Sequence, residues 1–300
     1  MTPHPPDVYR YFQLRKFLWR VRREGTQRSI RMAWRRAQRP TWLMGSLIWL
    51  MSCTLSAGTP PTQTPLPSAT PTAPSNDAWQ SLAPGLERRI YNPPSGFFTR
   101  LTVLRIDPGS YDFRVRYRPG EPLMAEEWAA TYPEAAAIFN TNFFDRNDEA
   151  TGMLFEDGVR YGDAYRRRGG TFFIRDGVPG IQSNLVQPYS GEVYDQAAQA
   201  FPMLMTDGSQ SYFDTRPDRA SRRTVVAIDQ QGRVLVLVTS FGGITLLDLA
   251  TYLPTTDMNI VDALNLDGGG STLLAVNTSE TSLIIESFDP VPAVFAVYPR

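Results

Sequence analysis

The chain has 300 residues, 42% of them hydrophobic and 20% charged, the balance of an ordinary globular protein. Its 30 Lys/Arg and 30 Asp/Glu cancel, but 11 of the basic residues lie before residue 42, and from Cys53 onward 19 basic residues face 28 acidic ones, which argues against nucleic-acid binding. The single histidine is His4 and the single cysteine is Cys53, so the body of the chain has no imidazole base, no Ser-His-Asp triad, no free thiol nucleophile and no His/Cys zinc site.

In chain order, residues 1–52 read as a basic N-terminus followed by a secretory signal. Arg35, Arg36 and Arg39 form its charged region and Trp42 to Met51 a short apolar region, shorter than the roughly 20 residues of a spanning helix. The 31 residues before Met32 are long for a signal's charged region, and Met32 is an alternative start. "LMSC", Leu50 to Cys53, resembles a bacterial lipobox, which implies cleavage before Cys53 and lipidation of its thiol. A plain cleaved signal or a short uncleaved anchor, with Cys53 incidental, is the other reading. Residues 53–78, rich in Pro, Thr and Ser, have little to bury and predict an extended spacer. The expected location is therefore outside the cytoplasm, held by lipid at a periplasmic or extracellular membrane face.

Residues 79–300 read as one domain with length enough for a sizeable core. Four hairpins are predicted: around Asp107 to Ser110, at Asp157-Gly158, at Asp176-Gly177 and around Gln230 to Gly232. Asp-Gly between apolar runs is a strong turn signal because both central residues of a type I′ turn take positive φ. "MAEEWAATYPEAAAIF" reads as helical with a break or a second start at Pro133, and Ile244 to Leu253 as a buried helix. Strands dominate, so the predicted class is α+β: strand-rich mixed sheets with inserted helices.

Three stretches are candidates for chemistry. "NLDGGGST", Asn265 to Thr272, lies between two strand-type runs, unlike a P-loop or a dinucleotide fingerprint, each of which opens a helix. Its glycines, Gly268, Gly269 and Gly270, suit a tight loop whose N–H groups form an anion nest beside Asp267. "FNTNFFD", Phe139 to Asp145, alternates amides with aromatics and suits a sugar. "RRTVVAID", Arg222 to Asp229, turns one of two arginines inward if the strand alternates, where its guanidinium needs an anion, Asp267 or a substrate phosphate; taken by itself it reads as a surface arginine pair. No organic cofactor is called for. An oxygen-ligand site for calcium or magnesium stays open.

Together with "FPMLMTDG" and "GGITLLDLATYL", these stretches resemble the phosphodiester glycosidase family in order and spacing over most of Leu101 to Arg300. The family pattern runs Asn-Gly-Gly-Phe-Phe, Phe-Pro-Val-Leu, Arg-Thr-Ala-Val-Gly-Ile, a glycine-led helix, and Asn-Leu-Asp-Gly-Gly-Gly-Ser. This chain departs from it at Thr141 and Asn142, which replace two glycines, and at Ala227. The resemblance implies a single phosphodiester glycosidase-like domain that hydrolyses a sugar-1-phosphate diester, here at the cell envelope in polysaccharide or exopolysaccharide metabolism. It implies catalytic roles for Asp267, Arg223 and Asn140, and substrate contacts for Asn142, Asp145, Thr224, Gly268, Gly269, Gly270, Ser271 and Thr272. Phosphate is a good leaving group, so the reaction suits a chain without a histidine acid. Asp145 and Asp262 are candidates for a second carboxylate. The implied partners are a carbohydrate or glycosyl-phosphate substrate and a membrane, with no nucleic acid. The competing reading is a non-catalytic glycan- or phosphoglycan-binding lipoprotein.

Overall fold

The computed structural model describes residues 78–96, 98–216 and 218–300. The basic N-terminus, the signal-type segment, Cys53 and the spacer up to residue 77 lie outside the described residues.

Three antiparallel sheets share one core. The first sheet has eight strands: β1 (Gln80–Ala83), β2 (Leu86–Tyr91), β3 (Arg100–Ile106), β11 (Met203–Thr206), β12 (Ser209–Gln210), β13 (Thr224–Asp229), β14 (Val234–Phe241) and β15 (Ile260–Asn265). Their spatial order is β1-β2-β3-β14-β13-β15-β11-β12. The second sheet has the order β17-β16-β5-β18-β4, from β4 (Tyr111–Tyr117), β5 (Ala137–Asn140), β16 (Leu274–Asn277), β17 (Ser282–Ile285) and β18 (Ala293–Pro299). The third has the order β7-β6-β10-β8-β9, from β6 (Leu154–Glu156), β7 (Val159–Tyr161), β8 (Gly170–Arg175), β9 (Val178–Ser183) and β10 (Gln196–Ala200). Every strand pair among the described residues is antiparallel, so the expected mixed sheets are corrected to antiparallel ones.

Period-two patterning explains the layering. On β13 and β14, Val226, Val234, Val236 and Val238 face the shared core, while Val225, Ala227, Leu235 and Leu237 face the other way. Phe113 of β4, Phe139 of β5, Phe172 of β8 and Phe295 of β18 fill the shared core, with the Phe172 and Phe295 rings edge-on at 5.0 Å. The outer face of the first sheet is covered by α2 (Leu246–Tyr252), through Leu246, Leu249 and Ala250. Thr245 caps that helix by accepting from Asp248 N. The outer face of the second sheet is covered by α1 (Ala125–Thr131), through Ala125 and the fully buried Trp128. The helices are short covers over sheet faces, so the expectation of inserted helices is also revised.

Three of the four expected hairpins form: β6–β7, β8–β9 and β13–β14. Asp157-Gly158 and Asp176-Gly177 both take positive φ at each residue, and Asp207-Gly208 does the same to join β11 and β12. The fourth does not form. β3 pairs with β2 and β14, while β4 pairs with β18, so the Asp107–Ser110 turn passes the chain from the first sheet to the second. The second half of the alanine-rich segment is also not helical. After Pro133, Ala137–Asn140 is β5, buried at every position between β16 and β18. Tertiary pairing there overrides alanine's helix propensity.

Candidate functional site

The glycine stretch is the crossing from the first sheet to the second. β15 ends at Asn265, a 3-10 turn covers Gly269–Ser271, and β16 begins at Leu274. Backbone bonds hold the crossing on both sides. Leu266 N donates to Thr224 O at 2.9 Å, and Asp267 N donates to Thr141 O at 2.9 Å. The third sheet is drawn in through the β10–β11 connection, where Asn265 N donates to Pro202 O and Asn265 Nδ2 to Phe201 O, both at 3.0 Å. The first and second sheets therefore meet at Asp267, which is buried at 4% exposure, and the third sheet's connection joins two residues earlier at Asn265.

Asn140 is the strut of this junction. Its Nδ2 donates to Asp267 O at 2.7 Å, and its Oδ1 accepts from Thr224 Oγ1 at 2.7 Å and Leu273 N at 3.1 Å. One buried amide thus ties the end of β5, the start of β13 and both sides of the glycine loop. Thr224 acts through this tie, with its side chain fully buried.

The three glycines are needed for close approach more than for an open anion nest. A Cβ on Gly268 would lie 2.8 Å from Arg222 O, and one on Gly270 would lie 1.8 Å from Asp289 Oδ2. Gly269 takes φ +67°. The loop's N–H groups turn inward: Gly268 N donates to Asp267 Oδ1 at 2.8 Å, Gly269 N to Arg222 O at 2.8 Å and Ser271 N to Gly268 O at 3.4 Å. Three of the loop's N–H groups are thus taken up within the fold. These amides fix the Asp267 carboxylate and the loop itself.

Of the two arginines Arg223 is the buried one, and it pairs with Asp218. Nη2 donates to Asp218 Oδ2 at 2.7 Å and to Arg219 O at 3.0 Å, and Nε donates to Ile244 O at 3.0 Å. Asp218 Oδ2 also accepts from Leu246 N at 2.9 Å, so the pair fastens the start of α2 to the start of β13. Sequence reasoning missed Asp218 because it stands alone in a polar loop. Arg222 is half-buried, its guanidinium 4.6 Å from the centre of the exposed Phe288 ring. Burial pulls its pKa down and Glu286 opposes that shift.

Asn142 and Thr272, on the segments flanking Asp267, are both buried. Asn142 Oδ1 accepts from Thr141 Oγ1 at 2.9 Å, while Asn142 Nδ2 and Thr272 Oγ1 have no hydrogen-bond partner among the described residues. Asp145 shapes its own loop, its Oδ1 accepting from Asn147 N and Glu149 N at 2.7 and 3.0 Å. Asp262 lies within β15 and Asp267 two residues past its end, a separation of up to roughly 16 Å along an extended chain. The two do not converge. Burial raises the Asp262 pKa. Among the described residues no cluster of three or more His, Cys, Asp or Glu side chains is placed to hold a metal.

The facing wall was not foreseen. Phe201 packs its ring on Phe143 at 4.5 Å and on Tyr165 at 5.4 Å, and the Arg168 guanidinium carbon sits 3.4 Å from the Phe201 ring centre. The Tyr165 hydroxyl shares a hydrogen bond with Thr151 Oγ1 at 3.1 Å. Burial raises the Tyr165 pKa, Thr151 and the Arg168 cation lower it, and the Asp267 carboxylate raises it. Asp267 and Arg168 are thus felt at one phenol.

A family model described as phosphodiester glycosidase matches residues 133–298, more than half of the chain, and spans every element of this junction. The chain belongs to the phosphodiester glycosidase family. Among solved structures it is similar to the zebrafish N-acetylglucosamine-1-phosphodiester alpha-N-acetylglucosaminidase catalytic domain auto-inhibited by pro-peptide, at 20% identity and a TM-score of 0.57, covering 74% of this chain and 86% of that one. It is also similar to a hypothetical protein from Synechocystis, at 15% identity and a TM-score of 0.50, covering 72% of this chain and 62% of that one. At these identities the likeness is one of fold. A comparison with curated proteins finds no match. Within this phosphodiester glycosidase fold, the departures at Thr141 and Asn142 lie directly behind Asp267.

Proposed function

We propose that this phosphodiester glycosidase-family domain hydrolyses a glycosyl phosphodiester, with Asp267 as the carboxylate at the reacting carbon. The observation that carries the reading is the buried Asp267 at the crossing between the first and second sheets, in a domain without histidine or cysteine. In the reaction, a water oxygen bonds to the anomeric carbon and the carbon–oxygen bond to phosphorus breaks. Its electron pair leaves on the phosphate monoester. That group is a stable anion at neutral pH, so no histidine acid is required. Asp267 either takes the water proton or offsets the positive charge that develops at the anomeric carbon. The buried donors Asn142 Nδ2 and Thr272 Oγ1 suit a ligand that brings acceptor oxygens.

The test is release of free sugar from a panel of sugar-1-phosphodiesters by the full-length protein. Turnover that is abolished in Asp267→Asn, with the melting temperature retained, supports the enzyme. Saturable glycan binding without turnover across the panel supports the binding-module reading instead. We further propose that the chain is exported and tethered at the envelope by lipid on Cys53, acting there on polysaccharide. The lipobox-like "LMSC" and the Pro/Thr/Ser-rich spacer support this. Cys53→Ser should move the protein from the membrane to the soluble fraction, and retention in the membrane would refute the anchor.

A further inference from the structure

Two segments are fastened to the glycine crossing by their main chains. Gly269 N donates to Arg222 O at 2.8 Å, and Gly270 O accepts from Phe288 N at 2.7 Å and from Asp289 N at 3.1 Å. Phe288, in the connection from β17 to β18, is thus tied to the loop that follows Asp267, while its ring stands 61% exposed. What sets it apart from other exposed rings is its neighbours. The Arg222 guanidinium carbon lies 4.6 Å from the ring centre, a cation–π stack. The carbonyls of Arg222 and Thr224 both accept from the crossing, from Gly269 N and Leu266 N, so the chain between them is extended and alternate side chains share a face. Thr224 turns inward to Asn140 and Arg223 turns outward to Asp218 at the start of α2. Arg222 turns inward with Thr224, to the face where Asn140 holds the Asp267 carbonyl.

The polar groups beside this stack are incomplete. Arg222 Nε donates to Thr239 O at 3.4 Å, and its Nη1 has no hydrogen-bond partner. Glu286, two residues before Phe288, is fixed through Oε1, which accepts from Ala125 N at 3.1 Å, and its Oε2 has no partner either. The two opposite charges feel each other without a direct bond. An anion placed here would satisfy Arg222 and be repelled by Glu286, and a cation the reverse. A hydroxyl both accepts and donates, so it complements the two together. The C–H face of a sugar ring packs on an aromatic face while its hydroxyls reach out at the edge.

We propose that Phe288 is the platform for a sugar ring of the substrate, with Arg222 as hydroxyl donor and Glu286 as hydroxyl acceptor at its edge. The proposal rests on the hydrolase reading for its substrate but not for its sugar chemistry. Arg222 Nη1 and Glu286 Oε2 are covered, and a rotamer change of the exposed Phe288 side chain under the incoming ring opens them. The platform holds the sugar at the loop that carries Asp267, so it governs affinity and choice of sugar rather than the chemical step.

Binding of a panel of methyl α-glycosides, which carry sugar hydroxyls and no phosphate, tests this by saturation-transfer NMR on the full-length protein, alongside turnover of the sugar-1-phosphodiesters. Phe288→Ala should weaken glycoside binding and raise KM about tenfold, with kcat changed less and the melting temperature retained. Phe288→Trp keeps an aromatic face and should stay within about threefold of wild type. Arg222→Met keeps a long stem under the ring but no donor, and should weaken binding as well. Phe213→Ala removes another exposed ring, next to a tyrosine packed on the outer face of the first sheet, and should match wild type. Glycoside affinity and KM both within about twofold of wild type in Phe288→Ala, in a protein whose turnover still requires Asp267, overturn the platform and spare the hydrolase reading. Glycoside binding lost in Phe288→Ala from a protein without turnover upholds the platform and removes the hydrolase reading. A wild-type protein that binds no glycoside and turns over no diester overturns both.

Discussion

Asn140 separates a scaffold role from a chemical one. Asn140→Ala deletes three buried hydrogen bonds at once, to Asp267 O, Thr224 Oγ1 and Leu273 N. The Thr224 hydroxyl can rotate to a new partner. The Asp267 carbonyl and the Leu273 amide belong to the main chain and cannot. Two buried groups left unsatisfied, at about 1–3 kcal/mol each, give a loss of roughly 2–6 kcal/mol. That is a large part of the roughly 5–15 kcal/mol that holds a domain folded. Thr224→Val removes only one donor from an oxygen that still accepts from Leu273 N, and should cost about 1 kcal/mol. Urea denaturation at fixed pH, with the slope checked for constancy, measures both. A cost below about 1 kcal/mol for Asn140→Ala would refute the strut. Loss of turnover with stability unchanged would return Asn140 to direct contact with substrate, the role its family motif implies.

Gly270→Ala should destabilise because its Cβ enters the space of Asp289 Oδ2. Asp289→Ala should recover most of that loss, a coupling of at least about 1 kcal/mol in a double-mutant cycle, and additive effects would contradict the packing account. Arg223→Ala should destabilise by removing the buried guanidinium that the half-buried Asp218 pairs with, by more than the roughly 1 kcal/mol of an exposed pair, and adding Asp218→Ala should cost little more in the same denaturation assay. For Asp262, burial raises the folded pKa, so the charged carboxylate opposes folding above that pKa and the cost vanishes below the unfolded value. Asp262→Asn should therefore raise the melting temperature at pH 7 and lose that advantage as pH falls below about 3.8. It should leave turnover intact, and a large fall in kcat would show that Asp262 takes part in the chemistry.

The parts of this fold that sequence makes readable are those fixed by neighbours in the chain. Asp157-Gly158 and Asp176-Gly177 are hairpin turns because two adjacent positive φ values are a local requirement that aspartate and glycine meet. Asp107 to Ser110 carries similar turn chemistry, yet it joins two sheets, because pairing depends on which distant strand competes for the edge. Ala135 to Phe139 misleads for the same reason: a helix-favouring composition is overruled by pairing with β16 and β18.

The candidate site divides along the same line. Asp267, Asn140, Arg223 and the glycines are visible as motifs because each answers a constraint that a few neighbouring residues impose. Their functions are less visible than their importance. Asn140 and Arg223 spend their polar atoms inside the fold, and the glycines make room for Arg222 O and Asp289. A motif marks where substitution is intolerable, and a crowded junction is intolerant whether or not it touches substrate. The aromatic cluster around Phe201 has the reverse character. Tyr165, Arg168 and Phe201 come from a loop and a strand connection, and only the buried bonds from Gln199 and Asn184 bring them into register. Nothing local distinguishes Arg168 from its two neighbours in sequence. What distinguishes it is a ring 33 residues away, so its place on Phe201 emerges only when the sheets are assembled.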